Sequence, residues 1–511
     1  MAAQMLEQAW ADSITVDEPH YIWSGTCLVS DGLDRDPSQP IGHRVLSGLA
    51  VRLAATRTGS CASLEAFYRV NPDQLRRLTL AARVPNLIAA LLLAVVVFFW
   101  GRALYGAAAG AIAMSLLVFE PTVLAHGHLA TGDLPLSLGV AGTLGAHWAW
   151  SRSRHGAWLL VGGLAFGSAL LSKVVALELL PLVAVAEFFT ATGSIAQRAR
   201  AAIAVTAGLA ALAWVLVCLA YLPITLKLPT SGGHPALLAW VVPPGWFFSL
   251  SHQLEAAGAG RNNFLNGQVS RNGFAAYFLE AFALKTTLGM LGLVALSIVA
   301  HLRARARSEA IYMWLPVALL FFIPSLGKLD LGVRYLLPAY PLLALAAGSL
   351  AAHWPRAMTG LPWLAGRRAA LGLTSALVFA AALSSLAHRP LHIGYFNELA
   401  GSHPERYLSN SNLDWGQDAW RLRGWWDGAG RPPLGVVWSP SLPPQDFGIE
   451  AQELTLEQPP PAVWLAVSLN SLDEQAGHAD AAYAALKERP ALGTRIGSSI
   501  QLLDNSTGRA K

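Results

Sequence analysis

Charge is what this chain has least of. Asp, Glu, Lys and Arg make up 13% of its 511 residues, against roughly 25% in an ordinary soluble protein. That scarcity excludes a freely soluble globular class. The net charge of +5 is modest, and the arginines fall between apolar runs without forming a patch, so no nucleic-acid partner is implied and the cations take a topological meaning. Cysteine is nearly absent. Cys27, Cys61 and Cys218 are too few for a disulfide scaffold, and a Cys27–Cys61 bridge requires both to face an oxidising compartment. The opening MAAQMLEQAWAD has neither the basic start nor the apolar centre of a signal peptide. No internal repeat of fixed period runs through the chain.

What fills the chain is apolar: 54% of the residues are hydrophobic. Spanning helices need about twenty mostly apolar residues, and ten segments qualify, at about 80–101, 105–123, 134–150, 157–172, 174–190, 201–222, 276–300, 310–326, 334–352 and 369–388. The fourth and fifth are short enough to cross tilted or to pair as a broken hairpin. The expectation is an all-α polytopic membrane bundle over 1–388. Arg102, then Arg152 and Arg154, then Arg198 and Arg200, then Arg303, Arg305 and Arg307, then Arg356, Arg367 and Arg368 mark alternate connections, which should be cytoplasmic. The opening segment, the 121–133 loop, the 223–275 loop and the tail then lie outside. An outer N-terminus with no leading helix is awkward to translocate, so a first spanning helix is expected ahead of the given start. Residues 389–511 gain polar residues and prolines. PLGVVW and AVWLAVSL read as strands, GQDAWRLRGWWD and AAYAALKER as helices, and EQPPPAV as a short linker, so this part is expected to be a small extracytoplasmic α/β domain.

Ionisable residues at membrane depth are expensive and are functional candidates by default. In SITVDEPHYIW, Asp17 and Glu18 stand before Pro19 in a turn that opens a helix. Adjacent side chains diverge by about 100° on a helix, so the two carboxylates should not serve one atom together. The plainer reading is that they cap the helix. The loop FEPTVLAHGHLATGDLP holds Glu120, His126, His128 and Asp133. Asp133 also fits an ordinary N-cap, while His126 and His128 with Asp133 form a metal candidate. Lys173 interrupts GSALLSKVVALELL, where a snorkelling lysine is the plain alternative. Lys285 lies inside a helix with Glu280 five residues earlier, a poor helical partner, so an anion from elsewhere, such as a phosphate, would suit it. GKLDLGVRYLLPAYP brings Lys328, Asp330, Arg334 and Tyr335 to another outer mouth, where Arg334 could simply pair with Asp330. Carboxylates beside a cationic cradle suit attack of a hydroxyl or amine on a sugar carried by a lipid phosphate.

TVDEP, the run PTVLAHGHLATGD at 121–133, LLSKVVAL around Lys173, RYLLPAYP from Arg334, and YFNELAG followed by SNLDWGQD occur in this order along nearly the whole chain. Together they resemble the bacterial branch of glycosyltransferase family 39, relatives of the protein O-mannosyltransferases and of the aminoarabinose transferase that acts on lipid A. The resemblance implies a GT-C helix bundle in the bacterial inner membrane. Its site would face outward, use a polyprenyl-phosphate sugar donor and invert the anomeric centre. It maps the family's acidic pair onto Asp17 and Glu18 and its second aspartate onto Asp133, all read as catalytic. Lys173 and Arg334 map onto the donor-phosphate positions, with Lys285 and Tyr335 added as candidates beside them. The acceptor would be a glycan, lipid or protein. No cofactor is implied, and a divalent metal is left open. Family members begin with a spanning helix just before the acidic pair, which this sequence lacks. For Asp414, Trp415 and Asp418 a structural junction is the plain reading.

Two other classes compete. A transporter or flippase would use the same charges to move a lipid-linked or anionic substrate and would carry discontinuous helices near the bilayer midplane. A non-catalytic lipid-binding or assembly protein would need none of them for chemistry.

Overall fold

The structure is a computed structural model that describes residues 1–227, 236–304, 307–357, 366–454, 464–470 and 494–504. The N-terminal part is helical: α1 (Ala2–Ala11), α2 (Glu18–Asp31), α3 (Ile41–Leu53) and α4 (Leu64–Phe67). Then come α5 (Pro72–Tyr105), α6 (Ala107–Val118), α7 (Pro121–Gly127), α8 (Asp133–Ser153), α9 (Ala157–Ser172), α10 (Leu179–Thr190) and α11 (Ile195–Thr225). After α12 (Ala236–Val241), α13 (Pro244–Ala259) and the hairpin β1 (Asn263–Leu265) and β2 (Gln268–Ser270), the bundle is completed by six more helices. These are α14 (Tyr277–Lys285), α15 (Leu288–Ala304), α16 (Arg307–Ser325), α17 (Ala339–Gly348), α18 (Leu350–Ala357) and α19 (Arg367–Ala387).

Each apolar segment expected to span is helical, but several are broken. Among the described residues, α5, α11 and α19 are long and apolar enough to cross a membrane. The pairs α6–α7 and α14–α15, bent by 63° and 119°, raise that number to five. The breaks have local causes. Pro121 opens α7 directly after Glu120, and the chain leaves helical geometry at Thr286, φ −103° and ψ 141°. Lys173, φ −151° and ψ 143°, ends α9 and separates it from α10 by a single 3-10 turn. Every break lies beside a polar residue of interest.

Three α-helix starts follow the usual capping chemistry, the first being α4, where Ser63 accepts the Ala66 N–H. Asn71 accepts the Gln74 N–H with Pro72 at the first turn of α5, and Ser194 and Gln197 form a capping box on α11. Helices α2 and α3 touch backbone to backbone, since a Cβ on Gly48 would lie 2.3 Å from the carbonyl of Gly25. Cys27 of α2 and Cys61 are disulfide-bonded across 34 residues, a pairing that two isolated cysteines in a sequence leave undecided.

In the tail, α20 (Ala419–Gly428) packs on a five-stranded sheet of β3 (Leu434–Val437), β4 (Ala451–Glu453), β5 (Trp464–Ser468), β6 (Arg495–Ile496) and β7 (Ile500–Asp504). The strand order is β4-β3-β5-β7-β6. The first three are parallel, Leu434 facing Ala451 and Trp464, and β5-β7-β6 are antiparallel. The expected strands and first helix are thus present. The AAYAALKER helix, the EQPPPAV linker and Arg305 lie outside the described residues.

The tail does not hang free. Ile14, Ile22, Phe67 and Leu78 share one buried core with Leu422, Trp426, Val436, Phe447 and Leu502. The Ser13 N–H donates to the Gln417 carbonyl at 2.9 Å and the Val16 N–H to the Trp415 carbonyl at 3.0 Å. This short ladder fixes the segment that carries Asp17.

Candidate active site

Asp17 is the N-cap of α2, yet its side chain makes no capping bond. Its Oδ2 instead accepts from Arg334 Nη1 at 2.8 Å, across 317 residues of chain. Glu18 turns the other way, as neighbours on a helix must. It is fully buried and accepts the N–H groups of Thr15 and Ala130, each at 2.8 Å, and two bonds from Arg83 at 2.8 and 2.7 Å. Burial alone would raise its carboxyl, but the Arg83 guanidinium overrides this and holds it below the ordinary range. Glu18 is therefore a structural anchor turned away from the cluster around Asp17.

Arg83 is the residue that sequence reasoning passed over. It is fully buried on α5 and donates to the carbonyls of Ala9 and Asp12, both at 2.9 Å, and of Ser13 at 2.8 Å, besides its two bonds to Glu18. All five of its N–H donors are thus occupied. One turn later, Asn86 Nδ2 donates to the carbonyls of Leu129 and of Thr131, the latter at 2.8 Å. A single face of α5 therefore clamps both the loop before Asp17 and the loop before Asp133. The available signal was an arginine inside an apolar run, LAARVPNL.

Asp133 is the first residue of α8 and is buried. Lys173 Nζ reaches its Oδ1 at 2.5 Å, and Arg334 Nη1 lies 3.9 Å from its Oδ2. Lys173 stands free to do this because the helix ends on it. Tyr335 presents its ring to both cations, 5.3 Å from Lys173 Nζ and 5.6 Å from the Arg334 guanidinium carbon. The Trp415 ring covers that guanidinium at 4.3 Å. Two carboxylates and two cations thus form one cluster, and their charges sum to zero. Two of its buried polar atoms, Arg334 Nε and Asp133 Oδ2, make no hydrogen bond. A buried donor and acceptor left open in this way are where a ligand would bond.

The other predicted residues lie outside the cluster. Lys285 Nζ donates to the carbonyls of Ile393 at 2.9 Å and Asn412 at 2.5 Å and sits over the Phe396 ring, so backbone carbonyls stand where a phosphate was expected. Asp330 does not pair with Arg334. It accepts the Phe274 N–H at 2.6 Å, and burial pushes its carboxyl up to about 6. The metal candidate is not assembled. His128 faces Asp12 at 3.0 Å and the Leu124 carbonyl at 3.0 Å, and His126 packs edge-on against Trp415 with its Nδ1 unbonded. Among the described residues no three His, Cys, Asp or Glu side chains are grouped to hold a metal ion.

SNLDWGQD is a junction, as its plain reading had it. Asp418 accepts the N–H groups of Ser498 at 2.8 Å and Ser499 at 2.9 Å, and Arg421 bridges Asp418 to Asp12. Its Trp415 also touches the cluster.

Residues 76–221 match the sequence model of the dolichyl-phosphate-mannose-protein mannosyltransferase family. No curated protein sequence matches the chain. Among solved structures, the chain is similar to ArnT from Cupriavidus metallidurans in the apo state, with 15% identity and a TM-score of 0.53, over 98% of this chain and 96% of that one. It is likewise similar to the same protein bound to undecaprenyl phosphate, with 15% identity and a TM-score of 0.50, over 99% and 97%. These likenesses give the fold.

Proposed function

We propose that this chain, which shares its fold with ArnT and matches the dolichyl-phosphate-mannose-protein mannosyltransferase model over 76–221, is a GT-C glycosyltransferase that transfers a sugar from a polyprenyl-phosphate donor to an acceptor at the outer membrane face, with inversion. The observation that carries this reading is the cluster Asp17–Arg334–Asp133–Lys173. It places one carboxylate that is 29% exposed, Asp17, against cations with an open donor. In the reaction, Asp17 takes the proton of the acceptor hydroxyl or amine while that atom bonds to the anomeric carbon. The sugar–phosphate C–O bond breaks, and its electron pair leaves on the phosphate oxygen. Lys173 and Arg334 hold the extra negative charge that develops there. Asp133 orients both cations. The charge count closes, since Asp17 becomes neutral as the phosphate gains one charge. Undecaprenyl phosphate in the similar ArnT structure agrees with the donor class.

The arginine alternation along the chain supports an extracytoplasmic site in the inner membrane. So does the Cys27–Cys61 disulfide, because such bonds persist in oxidising compartments. On this reading 1–388 is the catalytic bundle, the expected ten spans include the broken pairs, and 389–511 is an outer domain that brings Trp415 to the site. The bent pairs are also what a transporter would show. One assay separates the two. Purified protein given a polyprenyl-phosphate sugar and an envelope extract should release polyprenyl phosphate, and Asp17→Asn should release none while remaining folded. Near-normal release by that variant ends the assignment of Asp17. Movement of intact donor across vesicles without cleavage would favour the transporter.

A further inference from the structure

We propose that Trp415, contributed by the tail, is a positioning residue for Arg334 and thereby completes the donor-phosphate site; this rests on the reading of Arg334 as a phosphate ligand. Trp415 is 3% exposed, so its ring meets Arg334 out of water. The guanidinium carbon lies 4.3 Å from the Trp415 ring centroid and 5.6 Å from that of Tyr335, both within the range of a cation–π contact. Two aromatic faces restrict the plane of the guanidinium while leaving its edges free. One edge meets Asp17 through Nη1. Nε is buried without a partner, and an oxyanion is the ligand whose geometry matches that fork.

The choice of an aromatic ring has a physical reason. A third carboxylate would hold Arg334 by occupying N–H donors and would repel the incoming phosphate. A ring face attracts the cation and occupies none of them. Trp415 also links the two halves of the reaction, since its carbonyl accepts the Val16 N–H one residue before Asp17. That bond belongs to the backbone, so a side-chain substitution removes the ring and leaves the ladder in place.

The test uses the full chain in detergent with farnesyl phosphate as the probe. Trp415→Leu should weaken its binding by about tenfold, and Trp415→Phe, which keeps an aromatic face, should stay within about threefold of wild type. In an Arg334→Lys background, which keeps the charge but loses the planar fork, Trp415→Leu should change affinity by less than about twofold. Should Trp415→Leu fail to fold, Trp415→Met takes its place. Wild-type affinity in the Leu variant overturns the proposal, as does a Phe variant as weak as Leu or the same tenfold loss in the Arg334→Lys background. A wild-type chain that binds no farnesyl phosphate would sink the phosphate reading of Arg334 and this proposal together.

Discussion

Replacing the proposed base should make the protein bind its leaving group more tightly. Arg334 Nη1 is held by Asp17 at 2.8 Å, with Asp133 at 3.9 Å. A phosphate that enters must therefore draw the guanidinium away from Asp17 or share it. Two unit charges about 4 Å apart attract by roughly 4 kcal/mol at an effective dielectric of 20. The Asp17 side chain is 29% exposed, so solvent reduces this toward the roughly 1 kcal/mol of exposed pairs. A retained share of about 1–2 kcal/mol corresponds to roughly five- to thirtyfold in a dissociation constant. Asp17→Asn removes the charge but keeps an acceptor oxygen for Arg334, and it also relieves repulsion between carboxylate and phosphate. Titration calorimetry with farnesyl phosphate at fixed salt and pH 7 should show that tightening in a variant that has lost transfer. Unchanged or weaker binding by folded Asp17→Asn would refute the competition for Arg334.

Two further outcomes concern the frame. Arg83→Leu strands the buried Glu18 carboxylate and should destabilise the protein by about 3–5 kcal/mol, with limited proteolysis cutting first within residues 9–18; a variant as protease-resistant as wild type would remove Arg83 from its clamping role. Asp414 is buried at the tail junction, where burial lifts its carboxyl from 3.8 to about 6 despite hydrogen bonds from Ser468 and the Gly416 N–H. Because the folded value lies above the unfolded one, this contribution to stability is full below about pH 4 and is lost as pH rises through 6, by roughly 3 kcal/mol. Thermal unfolding between pH 5 and 7.5 should therefore fall more steeply for wild type than for Asp414→Asn, and equal slopes would contradict the assignment.

Much of the site was legible before any coordinates. Asp17, Asp133, Lys173 and Arg334 stand out as charges in an apolar chain, and the expense of burying such groups is what makes them visible. Lys285 stands out for the same reason but is satisfied by the backbone carbonyls of Ile393 and Asn412. Isolation along a helix says that a cation needs a partner and is silent on which. Glu18 reads as half of an acidic pair, and only its distant partner Arg83 turns it into an anchor. Trp415 is visible in SNLDWGQD, but it carries no charge, and nothing local says that its ring meets Arg334.

The sequence by itself determined the apolar segments, their order, the polar tail and the inventory of ionisable groups, because hydrophobic length and the avoidance of buried charge act residue by residue. Only the tertiary structure decided which charge meets which. Asp17 and Arg334 are 317 positions apart, and Ser13 finds Gln417 across a still longer span. No local periodicity encodes such contacts. They exist because α5 clamps two loops on one face and the tail folds back over both, so that the buried Glu18 and Arg334 each meet a charge of opposite sign.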